Sequence, residues 1–162
     1  MKKNKIIIGS ANFNKNYKTT SQKKSLFKDE INKILKCAEK NNITEIDTAV
    51  EYKNSEKLIG EFIKNNKNSN KWRIITKIRY KKNDNFLSII SKSIKKLNKS
   101  PHAILAHDLR TYQNKKFHKA LDKFPNIKRG ISVYKKQEVL SAIKFKKPEI
   151  VQFPINILDK RF

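Results

Sequence analysis

Four residues of this sequence, Asp47, Tyr52, Lys77 and His107, carry side chains suited to moving a proton, and each stands at or just past the end of a short apolar run. Asp47 follows the run ending in Ile46, and Tyr52 comes five residues later. Lys77 lies near the end of Trp72 to Ile78, and His107 directly follows Ala103 to Ala106. A phenol with a pKa of about 10 is a weak acid at neutral pH, but an adjacent ammonium stabilises the phenolate and lowers that value. Asp47 can hold the lysine charged and in place, and His107 can hydrogen-bond a substrate carbonyl.

Each residue also has an ordinary explanation. Asp47 can cap the following helix, as can Asn54, Ser55 or Glu56. A lysine in an apolar strand can snorkel to water, and a loop tyrosine or histidine is commonly just packed. It is the placement of all four at successive strand ends that favours chemistry. His102 and His118 lack that placement and read as surface residues, the latter on a lysine-rich helix.

Alternating short elements must position these groups. Lys5 to Ala11 is a β-branched strand candidate, followed by a polar loop through Lys24. Phe27, Ile31, Ile34, Leu35 and Ala38 recur at helical spacing, and Asn41-Asn42 ends that helix because asparagine tolerates the left-handed conformation. Thr44 to Ala49 is the second strand, and Leu58, Ile59, Phe62 and Ile63 mark the second helix, starting near Lys57. Trp72 to Ile78 is the third strand, with Trp72 a packing residue; Leu87, Ile90, Ile94 and Leu97 give the third helix. Ala103 to Ala106, Arg129 to Val133 and Ile150 to Phe153 are further strands, with helices over Lys115 to Phe124 and Gln137 to Phe145 between them.

This alternation predicts an α/β fold with a parallel sheet, either doubly wound or a (β/α) barrel. Only three glycines are present, Gly9, Gly60 and Gly130, and no glycine-rich dinucleotide fingerprint follows the first strand. The doubly wound alternative is weakened accordingly. With 162 residues and no linker or repeat, residues 1–162 read as a single domain.

The formal net charge of +25 is that of a polyanion binder. The lysines, however, are spread along the whole chain together with abundant asparagine and isoleucine, and only five arginines offer bidentate contacts. This pattern points to a compositional bias on tolerant surface sites, with non-specific nucleic-acid binding as its by-product. The single cysteine, Cys37, excludes an internal disulfide and a cysteine-rich zinc site, and reads as a small semi-buried helix residue in a reducing compartment. The apolar run Ile6 to Ile8 is too short for a signal peptide, and no run reaches the length of a membrane span. The expectation is a cytoplasmic protein with no membrane contact and no metal.

The motifs as a set resemble those of the aldo-keto reductase family, over essentially the entire chain. Asp47-Thr48-Ala49-x-x-Tyr52-x-Asn54-Ser55-Glu56, followed by Leu58-Ile59-Gly60-Glu61, is similar to the family signature. Ile75-Thr76-Lys77-Ile78 resembles its lysine strand and Leu105-Ala106-His107-Asp108 its histidine strand. Gly130-Ile131-Ser132-Val133-Tyr134 and Val151 through Arg161 resemble the motifs of the fifth and sixth strands. The resemblance implies a (β/α)8 barrel transferring hydride from NADPH to an aldehyde or ketone, a small-molecule carbonyl substrate. It further implies Tyr52 as general acid, Lys77 lowering its pKa, Asp47 holding the lysine and His107 orienting the carbonyl. Gly9, Ser10, Asp47, Ser132 and Gln152 match positions near the cofactor.

Departures from the family are specific. Lys53 stands where glycine is common, Asn14 and Lys18 occupy a loop often carrying glycines, and Val133 replaces an asparagine beside the serine. A complete barrel of this kind needs roughly 250 residues. The expectation is therefore an incomplete barrel of about six βα units, with strands seven and eight missing and the first and sixth strands left as open edges. Two alternatives follow: a catalytically incompetent remnant or split-gene half that needs a complementing C-terminal segment or associates with itself through the open edges, and a basic nucleic-acid-binding protein.

Overall fold

A computed structural model describes residues 6–13 and 26–158. Lys5, Asn14, Lys18, most of the loop to Lys24 and the Asp159-Lys160-Arg161 end of the last motif lie outside the described residues. Six strands alternate with helices: β1 (Ile8–Gly9), β2 (Glu45–Asp47), β3 (Arg73–Ile78), β4 (Ala103–Ala106), β5 (Lys128–Ser132) and β6 (Ile150–Gln152). They form one sheet in chain order. β1 pairs with β2, β2 with β3, β4 with β5 and β5 with β6, all in parallel. A doubly wound sheet reverses its strand order at a switch point, and this one does not. The fold is of the (β/α)8-barrel type, with six strands among the described residues.

The chain forms two compact units, one of residues 1–76 with Lys92–Pro101, the other of Lys77–Ser91 with residues 102–162. In the first, α1 (Lys28–Lys40) and α2 (Ser55–Lys64) cover the sheet. The carboxylate of Glu30 accepts from the Phe27 amide at 2.6 Å and satisfies one of the donors left over at the start of α1. Ile31, Leu35 and Ala38 are buried, whereas Ile34 and Cys37 are exposed. The apolar stripe is thus narrower than the sequence spacing suggests, and Cys37, expected half-buried, lies on its solvent side. Asn42 closes the helix at φ 59°, as its side chain permits. Trp72 is fully buried and meets Phe62 edge-on, with ring centroids 5.3 Å apart.

Helix α3 (Phe86–Leu97) contributes its last turns to the first unit. Gly60 on α2 lies against them: a Cβ there would stand 1.9 Å from the Lys96 carbonyl oxygen. Only a residue without a side chain permits this backbone approach. Asn98, at φ 50°, donates from Nδ2 to the Gly60 carbonyl at 3.1 Å.

The second unit carries α4 (Leu109–Tyr112), α5 (Lys115–Leu121) and α6 (Lys136–Phe145). The four-residue α4 is too short to leave a periodic signal. Asp108 caps it by accepting from the Thr111 amide at 2.8 Å. Tyr112 is buried and donates to the Lys146 carbonyl at 2.8 Å, and burial pushes its phenol up to about 12.

His118, expected at the surface, is buried against Tyr112, Phe117 and Phe145. The surrounding lysines mask an inward-facing position on α5. Its Nε2 lies 2.6 Å from the Tyr112 carbonyl oxygen, to which it donates, and Nδ1 is buried with no partner among the described residues. Burial holds the imidazole below its ordinary value, helped by Lys146 and Arg129 and opposed by the Tyr112 carbonyl and Asp122. The unfolded chain then binds the proton more readily than the folded one. Stability on this account is intact above the unfolded value of about 6.5 and falls as the pH drops below it toward the folded value. Glu61 and Asp122 are held below the carboxylate range by Lys28 and Arg129, so they titrate below this window. Urea midpoints taken at about pH 7.5 and about pH 5.5 are expected to differ more in the parent than in His118→Gln. Identical pH slopes for the two proteins contradict this assignment.

Candidate functional site

The sequence-derived residues divide between the units. Gly9, Ser10, Asp47 and Tyr52 stand in the first; Lys77, His107, Ser132 and Gln152 stand in the second.

In the first unit, strand register sets the level of the candidate groups. Gly9 is the partner of Asp47, and Asp47 of Ile75. The Ser10 amide donates to the Asp47 carbonyl at 2.9 Å, and the Thr48 amide to that of Ile75 at 2.8 Å. Asp47 therefore ends its strand level with the exit of β1, and both Asp47 and Tyr52 are half-buried. Tyr52 sits in a tight turn made by its own amide donating to the Ala49 carbonyl and the Ser55 amide donating to the Tyr52 carbonyl, each at 3.0 Å. Lys53 completes the turn at φ 46°, so the position where the family commonly has glycine keeps a glycine-like conformation with a lysine in it.

Of the expected capping side chains, Asn54, Ser55 and Glu56 are not used as caps of α2. Asn54 precedes the helix without a side-chain cap. Ser55 instead donates from Oγ to the Ser10 carbonyl at 3.2 Å, fastening the tyrosine turn to the exit of β1. Glu56 is buried, and its Oε1 accepts from Thr76 Oγ1 at 2.8 Å and Ser93 Oγ at 2.5 Å. These two bonds tie the start of α2 to β3 and α3. The spacing from Glu56 to Ile59, Gly60 and Ile63 places it on the buried face, a signal that its charge obscures.

In the second unit, Lys77 is the penultimate residue of β3 and is buried. The His107 amide donates to the Ile78 carbonyl at 2.8 Å, which sets His107 beside the end of β3. Ala106 is the partner of Ile131, and Ser132 of Gln152. Lys77, His107, Ser132 and Gln152 therefore mark the C-terminal ends of four successive strands, the edge where barrels carry their chemistry. Val133 is buried, and its amide donates to the Gln152 carbonyl at 2.9 Å.

Two of the candidate residues have a polar side-chain atom that is buried with no partner among the described residues: Ser10 Oγ and Gln152 Oε1. An unmet buried acceptor costs about 1–3 kcal/mol, and both atoms fit a ligand that brings its own donors. Among the described residues no group of three or more His, Cys, Asp or Glu side chains is arranged to hold a metal ion, and no helix is long and apolar enough to cross a membrane.

A cluster that the sequence reading passes over joins the exits of β3 and β4. Arg79 Nε lies 3.3 Å from Asp108 Oδ2, and the Arg110 guanidinium lies over the Tyr80 ring at 5.2 Å. The signal available for it was two of only five arginines in a lysine-rich chain.

The fold recurs in solved structures. A Pseudomonas aeruginosa protein ascribed to the aldo-keto reductases superposes with a TM-score of 0.77 at 19% identity, covering 96% of this chain and 64% of that one. The holo form of an aldo-keto reductase from Bacillus halodurans gives 0.74 at 15% identity, covering 95% and 54%. An aldo-keto reductase from Klebsiella pneumoniae in complex with NADPH gives 0.57 at 15%, covering 83% and 48%. The chain thus spans about two-thirds or less of the length of these structures. No curated protein matches it in sequence. At such identities the superpositions establish the fold, and it is the match of residues 5–161 to the Aldo/keto reductase family, nearly the full sequence, that makes this chain a member of that family.

Proposed function

We propose that the chain carries the residue set for reducing an aldehyde or ketone with NADPH as hydride donor. The observation that carries this reading is the alignment of Lys77, His107, Ser132 and Gln152 at successive strand ends, with Asp47 ending β2 at the level of the β1 exit. We assign one functional domain to residues 1–162.

Tyr52 donates its hydroxyl proton to the carbonyl oxygen, the Lys77 ammonium stabilises the phenolate left behind, and Asp47 holds that ammonium charged. His107 hydrogen-bonds the carbonyl and fixes its orientation. When bound, the nicotinamide supplies the hydride that the carbonyl carbon accepts. Gly9, Ser10, Asp47, Ser132 and Gln152 would hold it, with the unmet Gln152 Oε1 able to accept from a carboxamide amide and Ser10 Oγ able to bond a polar group of the cofactor. We place the protein in the cytoplasm, in keeping with its one cysteine being unpaired. The test is NADPH oxidation by the purified chain over a panel of small aldehydes. Oxidation no faster with aldehyde than without overturns the reading.

A second reading, catalysis only after a complementing segment or a second copy covers the last units, draws on apolar exposure on α6 and after β6. Ile157 and Leu158 are 89% and 92% exposed, and Leu140 and Ile143 of α6 are about half exposed. Exposed apolar residues of this number fit a surface meant to be covered. Sedimentation as a monomer, together with full turnover, removes this reading.

A further inference from the structure

We propose that Arg79 and Arg110 form a recognition site for a carboxylate carried by the carbonyl substrate. The proposal rests on the reductase reading, which puts the substrate at the strand ends where His107 stands, and it adds the charge class of that substrate.

Residue choice gives the first argument. Only five of the 39 lysines and arginines are arginine. Of these, Arg73 pairs with Glu45 at 3.0 Å and Arg129 with Asp122 at 2.9 Å, and Arg161 lies outside the described residues. The remaining two stand at the exits of β3 and β4, Arg79 against Asp108 and Arg110 over the Tyr80 ring. Where any cation serves, this sequence uses lysine; arginine differs in offering a rigid planar fork matched to a carboxylate and a flat face for stacking.

Geometry gives the second. The Tyr80 amide donates to Thr111 Oγ1 at 2.8 Å, and Thr111 donates from its amide and hydroxyl to Asp108 Oδ1 at 2.8 and 2.6 Å. The other oxygen of Asp108 takes Arg79 at 3.3 Å. These bonds fix the β3 exit to the β4 exit, one residue from His107. Tyr80 is itself stacked on Phe86 at 5.8 Å, so the ring under Arg110 is held from its own side. Arg110 is exposed, and a guanidinium lying over a ring directs its N–H edges sideways rather than into the protein.

Charge gives the third. Two guanidiniums and one carboxylate leave the network a single net positive charge, which suits a monoanion. Asp108 is committed to Thr111 and Arg79, so it orients the site rather than repelling the ligand.

The test compares 4-carboxybenzaldehyde with benzaldehyde, which differ only in the carboxylate. The parent is expected to prefer the acid by about tenfold or more in kcat/KM, a ratio that Arg110→Ala brings close to one. A parent ratio near one, or a ratio unchanged in Arg110→Ala, overturns the proposal. So does an equal collapse in Lys36→Ala on α1, which would trace the preference to the overall charge. If neither aldehyde is turned over, the reductase reading is what has failed. The site is then read by saturation-transfer NMR of the two aldehydes: tighter binding of the acid that Arg110→Ala abolishes supports it, and equal binding overturns it.

Discussion

Alanine at Gly60 is expected to lower folding stability by about 3 kcal/mol. Two effects of opposite sign compete at this position. In the interior of α2, exchanging glycine for alanine removes backbone entropy from the unfolded chain and gains about 1 kcal/mol. Against this, the new methyl would meet the Lys96 carbonyl oxygen at 1.9 Å and the carbonyl carbons of Lys96 and Leu97 at 2.9 Å. These are backbone atoms of α3, which cannot step aside as the tip of a side chain can. The helices must separate, and their separation loosens Asn98 from the Gly60 carbonyl and strains the buried Glu56–Ser93 bond between the same two helices. The steric cost exceeds the propensity gain. Urea denaturation followed by circular dichroism measures the difference, and a midpoint equal to or above that of the parent removes the close-contact account.

Phenylalanine at Tyr52 is expected to reduce kcat by about 10²–10⁴-fold, the range spanned by loss of a positioned general acid. The substitution keeps the ring and removes only the hydroxyl, so the turn through Lys53, built from backbone bonds, is left in place. Loss of an interaction made in the transition state lowers kcat and kcat/KM together, whereas loss of simple substrate binding raises KM. Steady-state kinetics on an aldehyde that the parent reduces separates these cases. Equal turnover by Tyr52→Phe and the parent removes Tyr52 from the role of acid.

Strand and helix alternation was legible because burial on both faces leaves continuous apolar runs such as Ala103 to Ala106, whose limits the structure reproduces. The strand ends at which the candidate residues stand were legible from such runs, and Ser132 and Gln152 become direct partners once the register is fixed. Polar residues that face inward were not. His118 looked like surface because lysines flank it, yet one carbonyl and three rings make its position tolerable. Glu56 looked like a cap, but the hydroxyls that bind it lie 20 and 37 residues away. Cys37 erred the other way, since spacing says which residues share a helix face and not how wide a stripe the neighbouring elements cover. The positive φ at Lys53 was not legible, because nothing in a lysine announces it; the glycine common at that position in the family was the signal available.

Trp72 is the sequence's one tryptophan, and it is sealed in the core of the first unit. It is therefore a natural optical label for that half alone. Its emission will shift when the packing around Phe62 opens and stay silent about the Tyr112–Phe117–His118 cluster, whereas circular dichroism registers helices of both halves. Overlaying the two signals in one denaturation experiment distinguishes a chain that melts in a single step from one whose halves part company.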